Sequence, residues 1–383
     1  MQADQLTWNG VSGWLAQGAI PDTANLVLYF GTRSALENGQ RYGELRDMFP
    51  GAHVIGCSTG GQIAKSDIIS DDDIAAVALS FDRTRLKLAT APATNSAASR
   101  NCGETIGKAL AAPDLAGIFI LSDGLNVNGS ALVAGITAIV GAKVPVTGGL
   151  AGDGALFTET LVGGDCAPKK QMVAAIGFYG NAIRIGHGNA GGWDEFGPRR
   201  SITRAQGNVL FELDGAPALD LYKRYLGEEA SGLPGTALLF PLRIFDPRQP
   251  ERDLVRTVLS VDHDKKSMTF AGDMPEGWVS QLMRGNFTRL ATGAAVAARQ
   301  SVAAFTEKPG ADSVAILVSC IGRRLLMGQR TAEEVEAVGN ELGAAMPTLG
   351  FYSYGEISPH GPSGICQLHN QTMTVTTFTE TAQ

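Results

Sequence analysis

At 383 residues the chain is long for one core, and its net charge of −7 and pI near 5.3 exclude a nucleic-acid face, which needs clustered Lys and Arg. The densest basic groups, Lys169-Lys170, Arg199-Arg200 and Arg323-Arg324, are dispersed pairs that read as solvated faces. With 44% apolar residues and no low-complexity tract, the chain can bury sizeable cores.

In chain order, the N-terminus lacks a basic n-region and an apolar h-region, and no later apolar run reaches bilayer length. Five widely spaced cysteines without a CxxC pair suit a reducing compartment. A cytoplasmic protein without a membrane span is expected. The apolar stretch 26–30 leads through a helix-like segment, 34–48, to His53-Val54-Ile55-Gly56-Cys57-Ser58-Thr59-Gly60-Gly61. From strand to bend the separation is roughly 30 residues, which predicts a βαβ crossover. Another apolar stretch, 74–81, follows. The plan recurs as helix 97–112, strand 117–121, helix 129–140, the bend Val144-Pro145-Val146-Thr147-Gly148-Gly149-Leu150-Ala151-Gly152-Asp153, and the stretch 172–179.

The middle of the chain differs. Residues 201–213 read as two strands about a Gly-Asn turn, and 217–226 as a helix with Pro217 near its start and Gly227 beyond its end. Stretches 237–245, 254–261 and 267–271 read as strands, and the region has the outline of a fourth, degenerate unit. The plan then returns as helix 282–305, strand 314–318, helix 331–345 with Thr331 as N-cap, the bend Pro347-Thr348-Leu349-Gly350-Phe351-Tyr352-Ser353-Tyr354-Gly355-Glu356, and the stretch 373–378. The expected fold class is α/β, with two related domains, 1–215 and 216–383. Their mixed sheets are built from repeated strand–helix–strand units with glycine-rich bends.

Open α/β sheets bind ligands beyond the carboxyl ends of their strands, so the three bends are candidate walls of a ligand site. Cys57, Ser58, Thr59, Gly60 and Gly61 offer a thiol, hydroxyls and backbone N–H groups, but no Lys follows to make a phosphate loop. Cys57 lacks a nucleophile-elbow pattern and a partner His, so it reads as a pocket liner. Gly148 and Gly149 lead to Asp153, whose carboxylate could hold a ligand amine or serve a turn. The densest polar cluster closes the chain: Tyr352, Tyr354 and Glu356, a Gly/Pro loop, then His369 and Asn370. Apolar walls with a few convergent polar groups are the material of a binding pocket. In the bland alternative, Glu356 and His369 pair for structural reasons. Five scattered histidines give no zinc pattern, and glycine-flanked His187 is able to face an open cavity.

Together these motifs resemble the FIST family of bacterial sensory modules, with an N-terminal and a C-terminal FIST domain. The stretches that carry the likeness are 54–63, 147–154, Gly191-Gly192-Trp193 with Phe196-Gly197-Pro198, 203–227 and 350–374. The resemblance implies signal input by binding a small molecule, without catalysis, and output through a partner such as a histidine kinase or a cyclic-di-GMP signalling enzyme. No fused output domain is apparent, so that partner is expected to be a separate protein. Some standalone members of about this length are haem-binding nitric-oxide sensors. The cofactor implied by that branch is noncovalent haem b, with His187 or His369 as candidate axial ligand and Cys57 and Cys366 behind them.

Overall fold

A computed structural model describes residues 1–16, 18, 23–65, 67–307, 309–361 and 364–381, the side chains of 251 and 252 excepted. Three of its sheets are built on one plan. In each, a parallel pair lies at the centre: Leu26–Gly31 with His53–Ser58, Leu115–Ser122 with Val146–Leu150, and Ser313–Cys320 with Thr348–Ser353. An antiparallel strand flanks the first member of each pair: Ile74–Ser80, Met172–Tyr179 and Met373–Glu380. These central strands are buried along nearly their whole length, as their continuous apolar runs require when both faces are covered.

Crossover helices cover one face of each sheet. Gly129–Val140 fills its predicted span, and Asn128 caps it by accepting from the Ala131 N–H at 3.1 Å. The first crossover is broken into Arg33–Leu36 and Gln40–Met48, with Gly39 in the left-handed region between them. In the third, Thr331 is itself helical and makes no side-chain cap; its hydroxyl donates back to Gly328 O instead. The expected helix 282–305 is shorter, Phe287–Val302, because the strand Val279–Gly285 runs into Asn286, which caps the helix.

The other faces of the three sheets meet in one apolar core. Leu28, Phe30 and Ile55 join Phe119, Leu121 and Ile176, and these join Ile316, Val318 and Phe351. Phe30 and Phe351, from the first and third sheets, have ring centroids 4.4 Å apart.

After each bend the chain leaves its own sheet and adds a strand to another. Gln62–Ala64, after the first bend, pairs with Thr348–Ser353 of the third sheet. Val162–Gly164, after the second, pairs with His53–Ser58 of the first sheet. Gly355–His360, after the third, pairs with Val146–Leu150 of the second. The exchange is cyclic. It locks residues from both ends of the chain into common sheets.

The fourth sheet is antiparallel throughout, running from Gln249–Arg256 through Trp193–Gln206 to Val258–Asp262. It contains the predicted Gly207-Asn208 hairpin, and the helix Ala218–Leu226 packs on it between Pro217 and Gly227. With no parallel pair, it is not a fourth copy of the unit. The stretch 237–245 divides into a 3₁₀ turn, Gly235–Leu239, and the strand Leu242–Asp246. Of the expected Gly/Pro loop, residues 362 and 363 lie outside the described residues.

Candidate functional site

The three bends converge at the carboxyl ends of the parallel strands, where a ring of backbone hydrogen bonds closes them. The Gly152 N–H donates to Ser58 O at 2.9 Å, the Gly60 N–H to Tyr352 O at 2.8 Å, and the Tyr354 N–H to Leu150 O at 3.2 Å. Each bend thus satisfies part of another's backbone, which offsets the cost of burying them.

The glycines serve close packing. Glycine at 350 leaves no Cβ to meet Leu317 O, which would lie 2.4 Å away. Gly61, at φ +137°, lets the Arg324 guanidinium approach to where a Cβ would stand, 2.2 Å from Nη1.

Beside this ring lies a cleft of about 370 Å³, lined by Thr32, Arg33 and Ser34 from the end of the first strand, by Thr59 and Gly60, by 153–156, and by Asp71 and Arg324. Its size falls within the usual range for small-molecule sites. Arg324 reaches it from the helix Ile321–Met327, donating through Nη1 to Gly60 O and through Nη2 to Asp71 at 2.8 Å. The Arg33 guanidinium makes no hydrogen bond or ion pair among the described residues, although it lines the same cleft. A larger cavity of about 730 Å³ opens at the opposite end of the third sheet's strand and touches the bend stretches only through Pro347 and Thr348, at the start of the third.

Of the residues singled out in the sequence, Thr59, Gly60 and Asp153 line the cleft, with Gly61 directly behind Arg324. Asp153 is a loop organiser. Its carboxylate accepts from the amides of Phe157, Thr158 and Glu159 and from the hydroxyls of Thr158 and Tyr354. Burial alone would raise its pKa, but the Tyr354 hydroxyl and these amides hold it below the ordinary carboxylate value. Tyr354 in turn stacks on Phe157, with ring centroids 4.5 Å apart.

The others lie behind the cleft. Cys57 is a fully buried core residue beside Val162, and burial pushes its thiol pKa up. Ser58 is spent on the Leu161 N–H at 2.9 Å. Gly148 and Gly149 are strand residues opposite Ile357 and Glu356. Tyr352 points to the helix side, where its hydroxyl donates to Glu334 at 2.9 Å. The Arg323–Glu334 ion pair lies there too, wholly buried at 2.7 Å. Arg323-Arg324 is therefore no solvated face: one arginine is in the core and its neighbour is in the cleft.

Glu356 and His369 are register partners, but their side chains do not bond to each other. Glu356 accepts from Ser353 Oγ at 2.8 Å and from the N–H and hydroxyl of Thr372 at 3.0 and 2.8 Å. Burial raises its pKa to about 8. Asn370 is buried beside Tyr354 O. His369, held neutral by burial with a pKa of about 3, sits 3.0 Å from Ser358 O and stacks on His360.

His187 lies in the edge strand Ile183–Ala190, opposite Thr376. The two imidazoles are on different sheets and line none of the cavities described here. His369 Nε2 is already engaged at Ser358 O and His187 lines none of these cavities, so neither of these alternative axial candidates fits a haem site.

Sequence reasoning missed Arg33, Asp71 and Arg324. The usable signal was position: Arg33 and Arg324 follow the first strands of the first and third units, where the carboxyl-end rule places ligand groups.

A mixed α/β protein of repeated units, with its cleft at the carboxyl strand ends, is the class that this geometry defines. The FIST N domain matches residues 25–216 and the FIST C domain matches residues 218–359. The chain therefore belongs to the FIST family, whose domains are associated with signal transduction and small-ligand sensing. A search of curated proteins found no match. Among the described residues, no helix is long and apolar enough to cross a membrane.

Proposed function

We propose that this chain is a cytoplasmic sensor, without catalytic activity, that binds a small molecule in the cleft beside the joined bends. It would pass the signal to a separate partner of the histidine-kinase or cyclic-di-GMP class. The observation that carries the reading is the position of the cleft. It borders Thr59–Gly60 and Asp153–Gly154, which are hydrogen-bonded parts of a junction shared by three sheets. A ligand that favours one arrangement of these segments over another shifts a population, as a sensor requires.

The candidate nucleophile Cys57 and the Glu356/His369 pair support a non-enzymatic role, because all three are enclosed and the last two are already engaged in hydrogen bonds. Thermal melting against a panel of small metabolites tests the site. A stabilising ligand should raise the melting temperature of the wild type and leave Ser34→Trp unaffected, because tryptophan at this exposed lining position fills the cleft. An equal rise in both proteins would place the ligand elsewhere.

A further inference from the structure

We infer that the cleft takes a small anionic metabolite, and that Asp71 is an internal stand-in for the ligand's acid group on Arg324. This rests on the cleft being the ligand site.

Two guanidinium groups line one cavity. Arg33 has no anionic partner among the described residues, and Arg324 has only Asp71. Asp153, the other carboxylate of the lining, has its oxygens filled by five donors from its own loop and Tyr354. It therefore has little left to offer a ligand amine. The formal charges of the lining balance, Arg33 and Arg324 against Asp71 and Asp153, but Asp153 is saturated by its own loop. Arg33 is thus left without a counter-ion contact among the described residues, and guanidinium is the side chain suited to carboxylate and phosphate oxygens.

Arg324 is anchored independently of Asp71. Nη1 donates to Gly60 O, the guanidinium carbon lies 5.5 Å from the centroid of the Tyr352 ring, and the side chain is 23% exposed. Asp71 is 57% exposed, and its pairing with Nη2 is of the solvent-facing kind that contributes little. An incoming acid group can replace it while Arg324 stays in place.

Displacement has a structural consequence. Residues 69–73 connect Asp67–Ile68, on the edge of the third sheet, to Ile74–Ser80 of the first. A ligand that takes Arg324 from Asp71 frees the connecting segment 69–73 from its side-chain tether, so that occupancy loosens the chain between two sheets.

Calorimetric titration of the full chain with glutarate and with inorganic phosphate tests this. At least one should bind, and whichever binds tighter identifies a carboxylate or a phosphate head group. Arg33→Gln should weaken binding roughly tenfold. Asp71→Asn vacates Arg324 and should tighten binding about two- to fivefold, the equivalent of removing a weak competing ion pair. Hydrogen exchange over 69–73 should become faster in wild type on saturation. If anions bind but Asp71→Asn binds no tighter, or 69–73 becomes protected, the stand-in role is overturned while the cleft stands. If neither anion binds, or Arg33→Gln binds like wild type, the anionic cleft itself is overturned.

Discussion

Glu356 lies opposite His369 in the ladder, and its carboxyl group has three hydrogen bonds but no salt bridge among the described residues. Burial raises its pKa from 4.5 to about 8, so the folded chain holds this proton more tightly than the unfolded chain does. Its stabilising contribution is therefore full below about pH 4.5 and is lost as the pH rises through 8. Glu356→Gln mimics the protonated acid: the amide oxygen can face Thr372 and the amide nitrogen Ser353. Melting at pH 5.5 should differ little from wild type, while at pH 9 the variant should melt several degrees higher. Equal pH profiles would mean that Glu356 is not held protonated. Asp153 has the opposite sign. Its lowered pKa gives stability that is present above the ordinary value of 3.8 and lost as the pH falls through the folded value. Asp153→Ala leaves three loop amides without their acceptor and should cost about 1–3 kcal/mol by urea titration. The sequence located both carboxylates at bends but could not say which way they faced. Position in a motif does not reveal whether the local amides already satisfy a side chain.

At the scale of the element, the bends were legible because glycine clusters at strand ends are unusual, and their spacing matched a crossover. Their chemistry was less so. Gly149 and Gly350 both read as bend glycines, yet what blocks a side chain differs. At 350 a Cβ meets the backbone carbonyl of Leu317 at 2.4 Å, whereas at 149 it meets first a methyl of Val318 at 2.7 Å, with the Gly355 carbonyl further off at 3.0 Å. Backbone cannot give way as a methyl can, so Gly350→Ala should lose about 1–3 kcal/mol and Gly149→Ala distinctly less. Equal losses in chemical denaturation would show that the strand shifts as readily as the side chain. Capping by Thr331 was misread because an adjoining 3₁₀ turn, Gly328–Arg330, carries the helix start further back. A capping signature cannot reveal that the preceding residues are already helical.

Across the whole molecule, the family domains divide at 216 and 218, but the sheets do not stop there. Gly355–His360 completes the second sheet and Gln62–Ala64 extends the third, while Phe30 and Phe351 pack in one core. The repeat itself was readable from three similar apolar patterns. The strand exchange was not, since a strand of three residues such as Gln62–Ala64 carries no periodicity and its partner, Thr348–Ser353, lies near the far end of the chain. A segment of 1–215 expressed alone should therefore fail to give a cooperative calorimetric transition, and mixing it with 216–383 should restore one. The location of the ligand remains the central point, and a hydrogen-exchange footprint of the full chain with glutarate tests it most directly. Protection at 32–34, 58–61 and 153–156 is the predicted result; protection confined to the cavity at 343–348, or to the groove by Trp278 and Cys366, would contradict the account.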